Sequence, residues 1–156
     1  MAGETATGII GAMEQEVEWI RPELTETETR VIAGIRFDTG KWHGKPVVVC
    51  RSGVGKVNAA VCTQMLIDRF GAGRILFTGV AGAADPGLEI GDLVISSDCV
   101  QHDMDVRPLG FERGVIPYAD MSVFPADPEL VKLAGEISRE LFDCNVMIGR
   151  VMSGDQ

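Results

Sequence analysis

Thr7-Gly8-Ile9-Ile10-Gly11-Ala12-Met13-Glu14-Gln15-Glu16-Val17-Glu18 passes from an apolar run through glycine and alanine into three acids within five residues. The apolar part, residues 7–13, reads as a buried strand. The acidic part reads as the first turn of a helix, where carboxylates suit the exposed amides. Open α/β sheets bind ligands just outside the carboxyl ends of their strands. A carboxylate at this junction can therefore serve chemistry. Helix-start charge and solubility are the plainer account, and the residues alone leave both readings open.

Outward from this junction, Val17, Ile20 and Leu24 form an inward helical face, interrupted near Pro22. Ile35–Trp42 and residues 46–51 read as two strands of a hairpin around His43-Gly44-Lys45. Ser52-Gly53-Val54-Gly55-Lys56 is a glycine-rich turn into a helix over 57–70. Its apolar stripe is Val57, Val61, Met65 and Leu66, and Gly71 is its stop. Residues 74–80 and 91–100 read as strands, with Asp85-Pro86-Gly87 turning between them. Residues 101–124 read as an extended loop long enough to carry function. Asp127-Pro128-Glu129 opens a helix, with Asp as cap and Pro in its first position. Leu130, Leu133, Ala134, Ile137 and Leu141 repeat at helical spacing, residues 146–152 form a last strand, and Ser153-Gly154-Asp155-Gln156 is a turn. This order predicts an α/β fold, one domain over residues 1–156, with a mixed central β-sheet flanked by helices. The last strand has nothing after it to cover its apolar face.

Composition narrows the function. The chain has 156 residues, 46% apolar and 24% charged, enough for one globule with a real core. Its 19 glycines point to tight turns and close backbone approach to a ligand. A net charge of −9 argues against nucleic acid, which needs a basic stripe, and against an anionic membrane surface. Cys50, Cys62, Cys99 and Cys144 form no CxxC pair and fit no zinc module. They are expected as reduced, small core residues of a cytoplasmic protein. Residues 1–7 carry no positive charge ahead of the apolar stretch and do not read as a signal peptide. No apolar run approaches the roughly 20 residues that span a bilayer.

The remaining motifs are weaker. Ser52-Gly53-Val54-Gly55-Lys56-Val57 lacks the spacing and the hydroxyl residue of a phosphate loop, and Asn58 breaks G-x-G-x-x-G. Gly79-Val80-Ala81-Gly82 suits either a flat ring lying against the backbone or a close-packed crossover. His102-Asp103-Met104-Asp105 reads as solvated loop charge rather than a metal site, because alternate side chains need not converge. With two histidines, no Ser-His-Asp arrangement is evident.

Taken together, the chain resembles the 5′-methylthioadenosine/S-adenosylhomocysteine nucleosidases of the nucleoside phosphorylase/nucleosidase superfamily. The resemblance rests on Gly8-Ile9-Ile10-Gly11-Ala12-Met13-Glu14, Ser52-Gly53-Val54-Gly55-Lys56-Val57 and Thr78-Gly79-Val80-Ala81-Gly82. Gly91-Asp92-Leu93-Val94-Ile95-Ser96, His102-Asp103-Met104-Asp105-Val106 and Ser153-Gly154-Asp155 add to it. It implies a nucleoside phosphorylase-like fold and hydrolysis of the N-glycosidic bond of both thionucleosides, releasing adenine and a thioribose. The implied setting is methionine salvage and removal of methyl-cycle by-products, without metal or organic cofactor. Glu16, not Glu14, would hold the nucleophilic water. Met13 and Val54 would line the alkylthio pocket, and Ala81 and Gly82 would lie near the adenine. Val80 stands where relatives often carry serine. Val106 would also line the thio-substituent pocket. Leu109 and Pro117 match positions that reach into the partner's pocket in family homodimers.

The same resemblance implies that relatives continue past Ser153-Gly154-Asp155. The adenine-binding loop, the Met-Glu pair on the ribose hydroxyls and the aspartate that protonates adenine would lie beyond Gln156. Asp155 is not that acid. The expectation is a fragment or truncated form, incomplete at the C-terminus and inactive alone. Three alternatives stay open: a phosphorolytic relative, a nucleosidase for futalosine or AMP, and a non-catalytic adenosine-binding or dimerisation module. Arg51, Lys56 and Arg74 show no obvious phosphate arrangement.

Overall fold

The computed structural model describes residues 5–155, so residues 1–4 of the N-terminal run and residue 156 of the last turn lie outside it. Its contacts gather into two compact units, one ending at Ala81 and the other beginning at Gly82.

The first unit is built on β1 (Ala6–Gly11), β2 (Thr25–Ile32), β3 (Ile35–Trp42), β4 (Lys45–Arg51), α1 (Lys56–Phe70) and β5 (Ala72–Phe77). The strands form one mixed sheet in the order β2-β3-β4-β1-β5. β1 runs parallel to both β4 and β5, while β2, β3 and β4 form an antiparallel meander. Side chains alternate across a strand, and here each parity has its own cover. Ile10, Val48 and Cys50 face α1 and cluster with Phe37, Cys62, Leu66 and Ala72. Ile9, Val47 and Val49 face the other way and cluster with Val17 and Leu24. The parallel strands are thus apolar on both faces, as buried parallel strands must be.

The expected hairpin is present. Trp42 pairs with Lys45, and His43 and Gly44 both have positive φ (48° and 78°), the signature of a two-residue type I′ turn. β2 has no counterpart in the sequence reading. It is exposed at seven of its eight positions, so it carries no apolar alternation to read. It forms because the β3 edge needs a partner, and Lys41–Glu26 (2.8 Å) and Thr29–Asp38 (2.6 Å) tie the two strands.

Residues 14–24 correct one expectation. In place of an α-helix there are two 3₁₀ turns, Glu14–Glu16 and Arg21–Glu23. Pro22 sits at the start of the second, where its missing N–H costs nothing. Val17 and Leu24 still reach the core, and Ile20 packs against it. The inward face was therefore legible although the helix type was not.

α1 stops at Gly71, whose φ is 62° and whose amide donates to the Ile67 and Leu66 carbonyls. Its expected stripe is half right. Leu66 is fully buried, but Val57 is 74% exposed, Val61 is also exposed, and Cys62 takes the inner position. The helix lies close to the sheet, and the small Cys62 fits where Val61 was expected.

The second unit holds β6 (Leu93–Gln101), a 3₁₀ turn at Arg107–Leu109, β7 (Val123–Pro125), α2 (Pro128–Leu141) and β8 (Val146–Ser153). Its three strands form a separate sheet, β7-β6-β8, with β6 and β8 parallel. The strands thus make two mixed sheets, and the expected α/β fold of mixed sheet and flanking helices is present. Asp127 caps α2 as expected, accepting from the Glu129 and Leu130 amides at 3.0 Å each. α2 packs on β6 and β8, so one face of the last strand does have a cover. The face presented differs from the expected stripe. Gly135 and Ser138 are buried and Leu130 and Ala134 of the stripe are half-buried, whereas Leu133, Ile137 and Leu141 are exposed. A Cβ on Gly135 would already meet Ile148 at 3.3 Å, so only small residues allow this approach.

All four cysteines are free, but only Cys50 and Cys62 are core residues; Cys99 and Cys144 are exposed. The Cys50 and Cys62 sulfurs touch at 2.9 Å, and this contact, with burial, pushes the Cys50 thiol upward. Among the described residues no helix is long and apolar enough to cross a membrane.

The fold gives a direct contrast. Leu66→Ala should cost about 2–5 kcal/mol, because a buried leucine leaves a cavity that relaxes only in part. Val57→Ala, one helical stripe away, should stay within about 0.5 kcal/mol. Urea unfolding of the two variants measures this, and equal losses would contradict the helix orientation.

Candidate active site

Three loops leave the carboxyl ends of the parallel strands of the first unit. The β1 end runs Gly11-Ala12-Met13, the β4 end Ser52-Gly53-Val54, and the β5 end Thr78-Gly79-Val80-Ala81. Backbone bonds knit them together at their roots. The Ser52 amide donates to the Gly11 carbonyl and the Thr78 amide to the Ile10 carbonyl, both at 2.9 Å. This is the crevice where open parallel sheets bind ligands.

Glu16 sits at its centre, half-buried. The Met13 amide donates to its Oε2 at 2.8 Å, and the Val80 amide donates to its Oε1 at 3.1 Å. The first bond is the glutamate half of a capping box, the acid three residues on satisfying the amide that opens the turn. The second bond joins the β1 loop to the β5 loop, 64 residues away. A carboxylate offers about four lone-pair sites. Two are used by these amides, which leaves acceptor capacity for a water molecule.

Glu14 has a different fate. The Arg21 guanidinium donates to its Oε1 in a short ion pair, and Arg51 lies 4.0 Å from its Oε2. Arg21 is in turn paired with Asp38 at 2.9 Å, and the Asp38 side chain is only 5% exposed. Asp38 also accepts from the Thr29 hydroxyl (2.6 Å) and from Arg36 (2.9 Å). So the two acids of the opening turn are sorted by their partners. Glu14 is neutralised by arginine, while among the described residues Glu16 is held by the Met13 and Val80 amides.

Gly79 is where side-chain volume is forbidden. A Cβ there would lie 2.6 Å from Glu16 Oε1 and 3.3 Å from the Phe77 ring. The close-packing account of this loop therefore applies to Gly79, while Val80, Ala81 and Gly82 are exposed.

The first unit brings Met13, Glu16, Val54 and Ala81 to its loop-bearing edge. Met13 is exposed beside Glu16, and Val54 is exposed on the β4 turn. Gly82, Val106, Leu109 and Pro117 belong to the second unit. Nothing lies within 4 Å of a Cβ built at Gly82. Val106 and Pro117 are half-buried and Leu109 is exposed. Phe111 meets the Tyr118 ring edge-on at 5.8 Å and is half-buried. Arg107 donates side-chain and backbone N–H groups to Asp105, holding that carboxyl down to about 2. No group of three or more metal-ligating side chains occurs among the described residues.

Sequence reasoning missed Arg21 and Asp38. One signal was available: Asp38 pairs with Val49, so an acid sits on the strand parity that otherwise faces an apolar cluster.

Residues 6–156 match the sequence pattern of the phosphorylase superfamily. The chain belongs to the phosphorylase superfamily. Among curated superfamily members it is similar to a 5′-methylthioadenosine/S-adenosylhomocysteine nucleosidase of a Geobacillus species. The two are 42% identical over 147 residues, which cover 94% of this chain and 63% of that relative. A Bacillus pumilus nucleosidase of the same name is 43% identical, with 94% and 63% covered. Among solved structures, the Neisseria meningitidis nucleosidase in complex with methylthio-immucillin-A superposes with a TM-score of 0.92 at 35% identity. It covers 97% of this chain and 65% of that one. The Colwellia psychrerythraea nucleosidase in complex with adenine gives 0.91 at 38% identity, covering 98% and 63%. The chain thus spans somewhat under two thirds of the length of these relatives.

Gly79→Ala should displace the Glu16 carboxylate while leaving the fold in place, since the obstructed atom is the end of a flexible side chain. The expected result is loss of the Val80 amide–Glu16 bond, read as a shifted Val80 amide resonance, with a change in unfolding free energy below about 1 kcal/mol. An unmoved Val80 resonance would contradict the close approach.

Proposed function

We propose that this chain carries the water-activating half of an N-glycosyl hydrolase that releases adenine from 5′-methylthioadenosine and S-adenosylhomocysteine. The observation that carries the reading is Glu16: a half-buried carboxylate at the carboxyl edge of parallel strands, fixed by two backbone amides. The similarity to nucleosidases solved with adenine and with a nucleoside analogue supports the substrate class.

The chemistry follows from the bond to be broken. The glycosidic C–N bond lengthens toward an oxocarbenium-like transition state, and its electron pair leaves with adenine. Water adds to the anomeric carbon and gives its proton to Glu16, which acts as general base. Adenine takes up a proton as it leaves. The resemblance assigns that donor to no residue of 1–156. By the resemblance, Met13 and Val54 of the first unit line the alkylthio group and Ala81 lies near the adenine. No metal or organic cofactor enters this scheme.

Phosphorolysis is the second reading, and Arg51 weighs against it, because Glu14 lies 4.0 Å from it and competes with an anion. We also propose a homodimer in which residues 106–117 of each copy complete the other's pocket. Leu109 is exposed on that loop, and apolar surface of this kind favours burial. Cytoplasmic work in methionine salvage fits the free thiols at Cys50 and Cys62.

The test is adenine release from both thionucleosides by the protein as its gene encodes it. Release should proceed without phosphate and should not be stimulated by it; strict phosphate dependence would establish the phosphorylase instead. Glu16→Gln should lower turnover by about 10²-fold or more with the fold retained, the scale of general acid–base catalysis. Near-normal turnover in that variant would remove Glu16 from the chemistry. For the assembly, sedimentation should give a dimer at micromolar concentration, and a fully active monomer would refute it.

A further inference from the structure

The opening turn carries two acids, and only one has a place in the proposed chemistry. The other, Glu14, is the visible end of a chain of charge that runs into the core. Asp38 lies on β3 with its side chain nearly sealed from solvent, and it grips Arg21 at 2.9 Å. Arg21 is 13% exposed and reaches across to Glu14 in a short ion pair. Arg51, at the carboxyl end of β4, approaches the other oxygen of Glu14 at 4.0 Å. Asp38 itself is held from two more sides, by the Thr29 hydroxyl on β2 and by Arg36 on its own strand.

The segment that this chain of charge restrains has little regular structure of its own. Between β1 and β2 it consists of two three-residue 3₁₀ turns, whose hydrogen bonds are few and local. Glu16 rides on the first of these turns. Its two amide bonds, to Met13 and Val80, hold only while that turn stays where it is. The apolar anchors Val17 and Leu24 fix the segment's depth against the sheet. They are non-directional and do not fix the turn's rotation. The hydrogen bond from Arg21 to Glu14 is directional, and the buried Asp38 carboxylate, 2.9 Å from Arg21 Nε, holds Arg21 by charge.

Resting on the reading of Glu16 as the water-binding base, we propose that Arg21, clamped by Asp38, is a positioning residue. It holds Glu14 and so the 3₁₀ turn, and thereby keeps the Glu16 carboxylate on the Met13 and Val80 amides. The three side chains touch no reacting atom. Their effect on turnover passes through Glu16, where a displacement of about 1 Å is enough to cost on the order of 10²-fold.

Two readouts test this. The first is hydrogen exchange at the Met13 and Val80 amides, with the Ile10 and Val48 amides of the core as the control for folding. In Arg21→Gln and Asp38→Asn, exchange at Met13 and Val80 should quicken about tenfold or more while the core amides keep their protection. Where either variant fails to fold, Glu14→Gln serves instead, because Glu14 is partly exposed and its loss leaves Asp38 and Arg21 paired. Unchanged Met13 and Val80 exchange in a folded Arg21→Gln or Glu14→Gln protein overturns the proposal.

The second readout is kinetic, in the protein as encoded. Arg21→Gln should lower kcat about tenfold with KM within about threefold, Arg21→Lys should recover part of the loss, and Arg21→Gln/Glu16→Gln should be no slower than Glu16→Gln alone. Losses that multiply in the double variant overturn the proposal, since they place Arg21's effect outside Glu16. The two readings fail separately. Normal turnover in Glu16→Gln, with amide protection lost in Arg21→Gln, removes the base and leaves the clamp. A crippled Glu16→Gln beside an Arg21→Gln protein of normal protection and kcat removes the clamp and leaves the base.

Discussion

β1 is hydrogen-bonded in parallel to β4 on one side and to β5 on the other, and most of the first unit follows from that position. A strand with neighbours on both edges and covers on both faces must be apolar throughout, which is what Gly8-Ile9-Ile10-Gly11 supplies. Because the pairing is parallel, all three carboxyl ends emerge at one edge of the sheet. Residues distant in sequence, Met13, Ser52 and Val80, meet there without any of them being part of a regular element. The crevice is a consequence of strand direction before it is a matter of side chains.

At that edge, two glutamates two residues apart acquire opposite electrostatic settings. Glu14 faces arginine, and Glu16 faces backbone N–H groups. An amide dipole supports a carboxylate without cancelling its charge, so Glu16 stays a strong acceptor. The Glu14 side of the turn rests on the Arg21–Asp38 pair. Burying such a pair brings little net stability, but removing one partner strands a charge and costs about 3–5 kcal/mol. Asp38 Oδ1 accepts from Thr29 and Arg36, while its Oδ2 lies 2.9 Å from Arg21 Nε without a hydrogen bond and is held there by charge alone. The arrangement is costly for stability alone and intelligible as a device that fixes geometry.

The second unit manages its charges at the surface. Asp105 is held by Arg107, and Asp98 by Arg150 from the neighbouring strand β8, both carboxyls being kept below the usual range. These pairs are exposed, so solvent screens them and their role is to order the loop and the strand register more than to stabilise the fold. α2 buries its narrow face, Gly135 and Ser138, and leaves Leu133, Ile137 and Leu141 in view. That inversion has a steric cause: the β6–β8 sheet lies too close for a leucine at position 135.

The sequence by itself determined most of the strands, the hairpin, and the caps at Asp127 and Gly71. Each of these is a local matter: alternation, turn chemistry and capping are written in neighbouring residues. It left unread what depends on approach distances and on distant partners. β2 has no apolar pattern and exists because the β3 edge is there to pair with. The opening segment is two 3₁₀ turns, with Pro22 at the start of the second, and Val17, Ile20 and Leu24 still meet one face of the sheet. Which faces α1 and α2 bury was set by how close each helix comes to its strands, and apolar periodicity could not say. The partners of the two glutamates were settled only when β3, β4 and β5 brought Asp38, Arg51 and the Val80 amide to the same turn, since a carboxylate's environment is made by residues its own sequence neighbourhood does not contain.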